Sequence, residues 1–166
     1  ELRKLNGETQ EDLAKAFQKL HVDFPNVKLL LIGFDEENMQ EKIHQIQTEN
    51  IIYFGPTPKP QEVLQAADVF CLPSYREGVP RTLLEASSMG KPIVTTNSVG
   101  CKEVVDDGIN GFLVPIKDSK SLAEKIKNLA NNYELRENMG KASREKALNE
   151  FDIKVIVEQY LRLYNV

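Results

Sequence analysis

Two carboxylates invite a chemical reading in this chain of 166 residues, Glu77 and Glu85, separated by Gly78-Val79-Pro80-Arg81-Thr82-Leu83-Leu84. A pair of acids can do general acid and base work, or it can accept hydrogen bonds from the hydroxyls of a polyol. The residues between them narrow the choice. Gly78 allows close backbone approach and unusual dihedrals. Pro80 has a fixed φ and no N–H, which suits the first turn of a helix. The backbone N–H groups near Arg81, Thr82 and Leu83 then point out of a helix N-terminus, a ready anion site. Arg81 can add a charge-assisted bond to a phosphate. Glu85 falls among Leu83, Leu84, Ala86 and Met89, where a charge is costly unless paired or hydrogen-bonded. It is either a solvated helix position or an acceptor for vicinal hydroxyls such as those of a ribose, and the loop before it favours the second. Glu77 is either an acid that complements the helix dipole or a ligand contact, and one role does not exclude the other.

The elements that must position this segment are strands alternating with helices. Leu13, Ala16, Phe17 and Leu20 recur at helical spacing, which predicts a helix over about 9–21. Apolar runs ending in Gly33 and Gly55, then Asp68 to Pro73, Pro92 to Thr96 and Gly111 to Val114, predict five buried strands. Between them fall a helix over about 36–48, one opened by Pro60, one over about 81–89 closed by Gly90, and a helical turn before Gly108. Ser121, Leu122, Ile126 and Leu129 mark a further helix, and the tail from Glu134 is helical with a break near Phe151-Asp152. Fully apolar strands alternating with helices imply an α/β domain with a doubly wound parallel sheet, covered on both faces. Ligands of such sheets bind at the carboxyl ends of the strands. The loops after Gly33, Gly55, Pro73, Thr96 and Val114 are therefore the ones to read. There is no internal repeat or linker, so residues 1–166 form one domain.

Bulk properties remove other classes. The net charge of -4 argues against a nucleic-acid surface. No apolar run approaches a bilayer span, and the opening residues lack a secretory apolar core. Cys71 reads as a buried small hydrophobe and Cys101 as a loop residue; without ligand spacing they suggest neither disulfides nor zinc, and a cytoplasmic setting. His21 and His44 read as surface residues, and no metal site is expected. No serine elbow, dinucleotide fingerprint or P-loop motif is present. The first residue is Glu rather than Met, which fits a portion of a longer chain.

Several stretches together resemble the retaining glycosyltransferases of family 4. They are Ala67 to Ser74, the Glu77 and Glu85 spacing, Gly90-Lys91-Pro92-Ile93-Val94, and Gly100 to Pro115. The wording from Arg76 to Ala86 is most similar to bacterial members that build capsular and other surface polysaccharides. The resemblance implies the C-terminal half of a GT-B fold, a Rossmann-like domain that binds a nucleoside-diphosphate sugar. It implies that Glu85 holds the ribose hydroxyls and that Glu77 lies at the donor sugar as the catalytic-site acid, not as a covalent nucleophile. It further implies that Ser74 and the segment Gly78, Val79, Pro80, Arg81, Thr82 and Leu83 hold the sugar and phosphates. Phe54, Gly55 and Pro56 would lie against the base, and Gly33 would let the nucleotide approach. Glu103 matches a recurrent acid without an assigned role. Family members carry an Arg and a Lys near the start of this domain that neutralise the leaving diphosphate in place of a metal. The opening residues lack the strand that bears them and offer Lys4, or Asn6-Gly7 at the place of a Lys-Gly pair. The implied activity is sugar transfer, without a cofactor or metal, to a glycan or lipid-linked acceptor, in an enzyme of the cytoplasm or inner membrane face. The partner is a missing N-terminal domain, toward which a helix over about 152–166 packs through Ile153, Ile156, Val157, Tyr160, Leu161 and Tyr164. The alternatives are the matching half of a GT-B epimerase acting on a UDP-sugar, and a non-catalytic nucleotide-binding module; the latter, if receiver-like, lacks its cluster of aspartates at the first strand ends.

Overall fold

The computed structural model describes residues 2–33, 41 and 50–164, with side chains from residue 12 onward. Twelve elements follow in order among the described residues: α1 (Leu2–Asp23), β1 (Leu29–Ile32), β2 (Ile51–Gly55), α2 (Pro60–Ala66), β3 (Phe70–Leu72), α3 (Arg81–Ser88), β4 (Ile93–Thr96), α4 (Cys101–Val104), β5 (Gly111–Val114), α5 (Ser119–Asn131), α6 (Tyr133–Glu150) and α7 (Ile153–Leu163). The helix expected over residues 36–48 falls, but for Glu41, outside the described residues. The other expected elements are found. α1 starts earlier than its apolar spacing indicated and runs through Gly7, a residue about 1 kcal/mol less favourable than Ala inside a helix.

All strand pairs are parallel. β1 pairs with β2 from Leu29↔Ile51 to Ile32↔Gly55, with a one-residue shift at its end. β4 lies between β3 and β5, with Ile93 opposite both Phe70 and Gly111. The helices cover both faces. Side chains of a strand alternate between faces, and β4 shows the result. Val94 joins one core cluster with Leu13, Phe17 and Leu20 of α1 and Leu122, Ile126 and Leu129 of α5. Ile93 joins the other with Leu64 of α2, Leu83 and Ala86 of α3, and Cys101 and Val104 of α4. This is the doubly wound arrangement.

The strands differ from a continuous sheet in one respect. They form a two-stranded sheet, β1-β2, and a three-stranded sheet, β3-β4-β5. Among the described residues no strand lies between β1 and β3. The chain crosses from β2 to β3 through α2, and the edges of β1 and β3 line a cleft of about 1040 Å³. Leu30 and Ile32 on β1 consequently stay exposed despite their apolar type.

Two further features fix the frame. α6 packs across α3, where Ser87 Oγ donates to the Ser143 carbonyl (2.7 Å) and Ser143 Oγ donates to the Asn110 carbonyl (2.9 Å). α7 contributes no buried residue: Ile153, Tyr160, Leu163 and Tyr164 are well exposed, so its apolar face is not covered by this domain.

β4 and β5 approach so closely that a Cβ on Gly111 would sit 2.1 Å from the Ile93 carbonyl oxygen. Neither backbone can retreat without breaking the ladder. Gly111→Ala is expected to lower unfolding free energy by about 3 kcal/mol, read from urea denaturation; an unchanged midpoint would contradict the packing described.

Candidate functional site

The cleft opens at the carboxyl ends of β1 and β3. Gly33, Ser74, Glu77, Pro80, Arg81, Thr82 and Glu85 line it there. These come from the ends of β1 and β3 and from the first turns of α3, which is where a parallel sheet gathers its ligands.

Ser74 follows β3 and is 2% exposed. Its hydroxyl donates to Glu77 Oε1 at 3.1 Å. Its carbonyl accepts from the hydroxyls of Thr96, the last residue of β4, and Ser98, in the loop after it. Tyr75 anchors the outer side of the same loop. Its hydroxyl donates to Asp12 on α1 at 2.5 Å, and its ring lies 5.1 Å from Lys117 Nζ. Thr96 and Ser98 were not among the residues singled out in the sequence. Their only sequence signal is a hydroxyl at the end of a buried strand and another two residues later.

Pro80 is the N-cap of α3, with an extended ψ of 122°, one residue before the position its chemistry suggested. Its side chain caps nothing, so the opening turn must satisfy itself. It does so in part. Leu83 N–H donates to the Pro80 carbonyl at 3.1 Å, and Leu84 N–H to the same carbonyl at 3.2 Å. The expected anion donor at Leu83 is thereby corrected: its amide is engaged in a tight i to i+3 turn, and its side chain is fully buried in the core. The amides of Arg81 and Thr82 precede the first intrahelical donor, Leu83 N–H, and remain turned out of the helix end. Gly78 and Val79 are exposed at the loop tip, outside the cleft lining.

Glu85 sits one helical turn after Arg81 and is bonded to it. Arg81 Nε lies 3.0 Å from Glu85 Oε1, with the Arg81 side chain 91% exposed and that of Glu85 24%. An exposed i, i+4 pair contributes about 0.3–0.5 kcal/mol, so a ligand can displace it cheaply. Glu77 and Glu85 thus border one cleft from different supports. Glu77 is held by Ser74, and Glu85 by Arg81.

Gly33 closes β1 with φ of 144° and receives the Tyr53 hydroxyl on its carbonyl at 2.6 Å. Gly55 has φ of 77° and donates no side chain to the space beside Gly33. Phe54 is exposed, and neither it, Gly55 nor Pro56 lines the cleft. They lie one strand further out, Phe54 and Gly55 on β2 and Pro56 just after it. Glu103 is an exposed residue of α4. Lys4 and Asn6 fall in the first turns of α1, and their side chains are outside the described residues. Among the described residues no three His, Cys, Asp or Glu side chains gather as metal ligands. His44 lies outside the described residues. His21 is not a free surface residue: its ring stacks on Phe17 and Nδ1 meets the Asn50 amide at 3.1 Å. No described helix is long and apolar enough to cross a membrane.

The two cysteines exchange the environments their neighbours suggested. Cys101 opens α4 and is fully buried, because α4 turns it into the core. Cys71 is half-buried, because β3 has no partner on its cleft side. Its surroundings are still dense enough that desolvation pushes the thiol from 9.0 up to about 12. Iodoacetamide at pH 8 should therefore modify Cys71 of the folded chain about a thousandfold more slowly than that of the unfolded chain, since only the thiolate reacts. Peptide mapping that finds equal rates would contradict the burial. The sign extends to stability. Below pH 9.0 the thiol is neutral in both states and favours neither; from pH 9.0 toward about 12 only the unfolded chain ionises, so stability falls across that window.

The glycosyl transferases group 1 family matches residues 5–146. N,N'-diacetylbacillosaminyl-diphospho-undecaprenol alpha-1,3-N-acetylgalactosaminyltransferase of Campylobacter jejuni is 35% identical over 82% of this chain and 36% of its own length. The capsular polysaccharide biosynthesis glycosyltransferase CapM of Staphylococcus aureus is 32% identical over 93% of this chain and 42% of its own length. Among solved structures, HepE of Anabaena in complex with UDP superposes with a TM-score of 0.85 at 25% identity, covering 94% of this chain and 44% of that one. The chain thus spans roughly two fifths of the length of these proteins. On the match over residues 5–146 and on a Rossmann-like sheet whose carboxyl edge carries Glu77 and Glu85, this chain belongs to the group 1 glycosyl transferases, with the fold of a GT-B half.

Proposed function

We propose that this chain is the donor-binding domain of a retaining glycosyltransferase that takes its sugar from a nucleoside diphosphate. One observation carries the reading: two carboxylates and the free end of α3 border the same cleft at the carboxyl edge of the sheet. A nucleoside-diphosphate sugar presents the complementary set. Its ribose offers vicinal hydroxyls, its diphosphate offers charge, and its sugar offers further hydroxyls.

In this reading Glu85 accepts from the ribose and Glu77 from the donor sugar. The amides of Arg81 and Thr82 and the Arg81 guanidinium meet the phosphates. Donor binding therefore exchanges one pairing for two. Arg81 leaves Glu85 for phosphate, and Glu85 turns to the ribose. Fixed amides and a cation aimed at the departing diphosphate stabilise charge that grows as the sugar bond breaks. Transfer by this route needs no metal. The relatives' names speak of capsular polysaccharide and of a diphospho-undecaprenol acceptor. By analogy the acceptor here is a glycan or lipid-linked sugar, and the enzyme works in the cytoplasm or at the inner membrane face. A second, N-terminal domain of the full-length protein supplies the acceptor side, and the uncovered apolar face of α7 suits a place against it.

Isothermal titration of the 166-residue chain with UDP, GDP, ADP and UDP-sugars tests the proposal. A nucleoside diphosphate is expected to bind equally well with and without EDTA. Glu85→Ala should weaken it by about 10- to 100-fold, the loss of hydrogen bonds to a charged acceptor. Absence of binding by every nucleotide, or binding indifferent to Glu85→Ala, would remove the proposal's support.

A further inference from the structure

We propose that Thr96, the last residue of β4, and Ser98, in the loop after it, are positioning residues for Glu77 and act through Ser74. The inference rests on the donor-site reading for its consequence in binding, but its geometry stands apart from it.

The backbone ladder between β3 and β4 ends at Leu72↔Thr95. Beyond that point side-chain hydroxyls continue it. Thr95 Oγ1 donates to the Leu72 carbonyl at 2.6 Å. Two residues on, Thr96 Oγ1 donates to the Ser74 carbonyl, and Ser98 Oγ donates to the same carbonyl at 3.1 Å. Ser74, Thr96 and Ser98 are 2%, 1% and 7% exposed. Buried carbonyls must be satisfied, and here no backbone N–H of β4 reaches that far. The path of the chain at Ser74 is therefore set by two hydroxyls.

What Ser74 does with its own hydroxyl gives the arrangement a direction. It donates to Glu77 Oε1 at 3.1 Å. Among the described residues this is the side-chain hydrogen bond that orients the Glu77 carboxylate. The chain of contacts thus runs from Thr96 and Ser98, through the carbonyl and hydroxyl of one buried residue, to an acid at the mouth of the cleft. The Glu77–Gly78 backbone is seated on the same loop. Glu77 N–H points at the Val99 carbonyl, 3.4 Å away. Gly100 has φ of 86°, and a Cβ there would lie 1.8 Å from the Gly78 carbonyl oxygen. Only glycine lets the two loops touch. Glu85 is untouched by this network, being held from α3 by Arg81. Disturbing Thr96 or Ser98 should consequently disturb the carboxylate at the sugar and spare the one at the nucleoside.

The test has a ligand-free and a ligand-bound arm, on the 166-residue chain. In the first, side-chain carboxyl carbons of glutamate are followed by NMR. Thr96→Val should move the Glu77 signal and leave that of Glu85 in place, Ser98→Ala should do the same, and Thr96→Ser should return Glu77 to its original position. A Glu77 signal indifferent to both Thr96→Val and Ser98→Ala overturns the proposal, whatever the chain binds. In the second arm, Thr96→Val should weaken UDP-glucose about tenfold, the loss of one buried hydrogen bond, and UDP alone by less than about twofold. Equal losses for both ligands would mean a general structural role and overturn it. If the unaltered chain binds neither ligand, the donor reading falls, and the carboxyl signals still decide the positioning claim. Should Thr96→Val fail to fold, Ser98→Ala carries both arms.

Discussion

β4 has a strand on each edge and helices on each face, and none of its four residues reaches solvent. That burial organises the molecule. Ile93 and Val94 divide between the two core clusters, so the helices they attract must lie on opposite faces. Thr95 and Thr96 bring hydroxyls into the same dry setting, where each must find an acceptor. They find them on the carbonyls of Leu72, at the end of β3, and Ser74, just after it. The loop bearing Glu77 is thereby tied to the centre of the sheet rather than left to solvent. Leu83 and Ala86 bury one side of α3 against the same strand, which holds the opening turn of that helix at the carboxyl edge.

The cleft inherits two kinds of electrostatic support from this frame. Glu77 is fixed by a neutral hydroxyl on a rigid backbone. Glu85 is fixed by an exposed guanidinium. The first arrangement orients an acceptor without neutralising it. The second is a weak pair that dissolves when a better partner for either ion arrives.

Periodicity made most of this fold legible in advance. Short apolar runs bounded by turn signals, such as Ile93-Val94 after Pro92 and Val69-Phe70-Cys71-Leu72 before Pro73, read as strands, and the helices declared themselves by spacing and by Pro60 and Gly90. The carboxylate pair and the helix N-terminus were likewise visible, because both depend on local sequence. What was not legible depends on contacts between distant residues. Leu83 looked like a phosphate donor until its amide turned back to Pro80. Cys71 and Cys101 exchanged burial because one lies at the edge of an open cleft and the other in a turn packed into the core. Thr96, Ser98 and Gly100 gave no local sign that they shape a loop more than 20 residues earlier in the chain. The apolar stripe of α7 was plain, but not that this domain leaves it uncovered.

The central claim is a place: a nucleotide binds at the carboxyl edge, between Gly33 and the segment from Glu77 to Glu85. Backbone amide shifts of the isotopically labelled chain during a UDP titration test it most directly. The account predicts that Gly33, Gly78, Arg81 and Thr82 move together along one saturating curve, while amides at the amino ends of the strands, such as Leu29, Phe70 and Ile93, stay fixed. Shifts concentrated at those amino ends, or on α6 and α7, would contradict it.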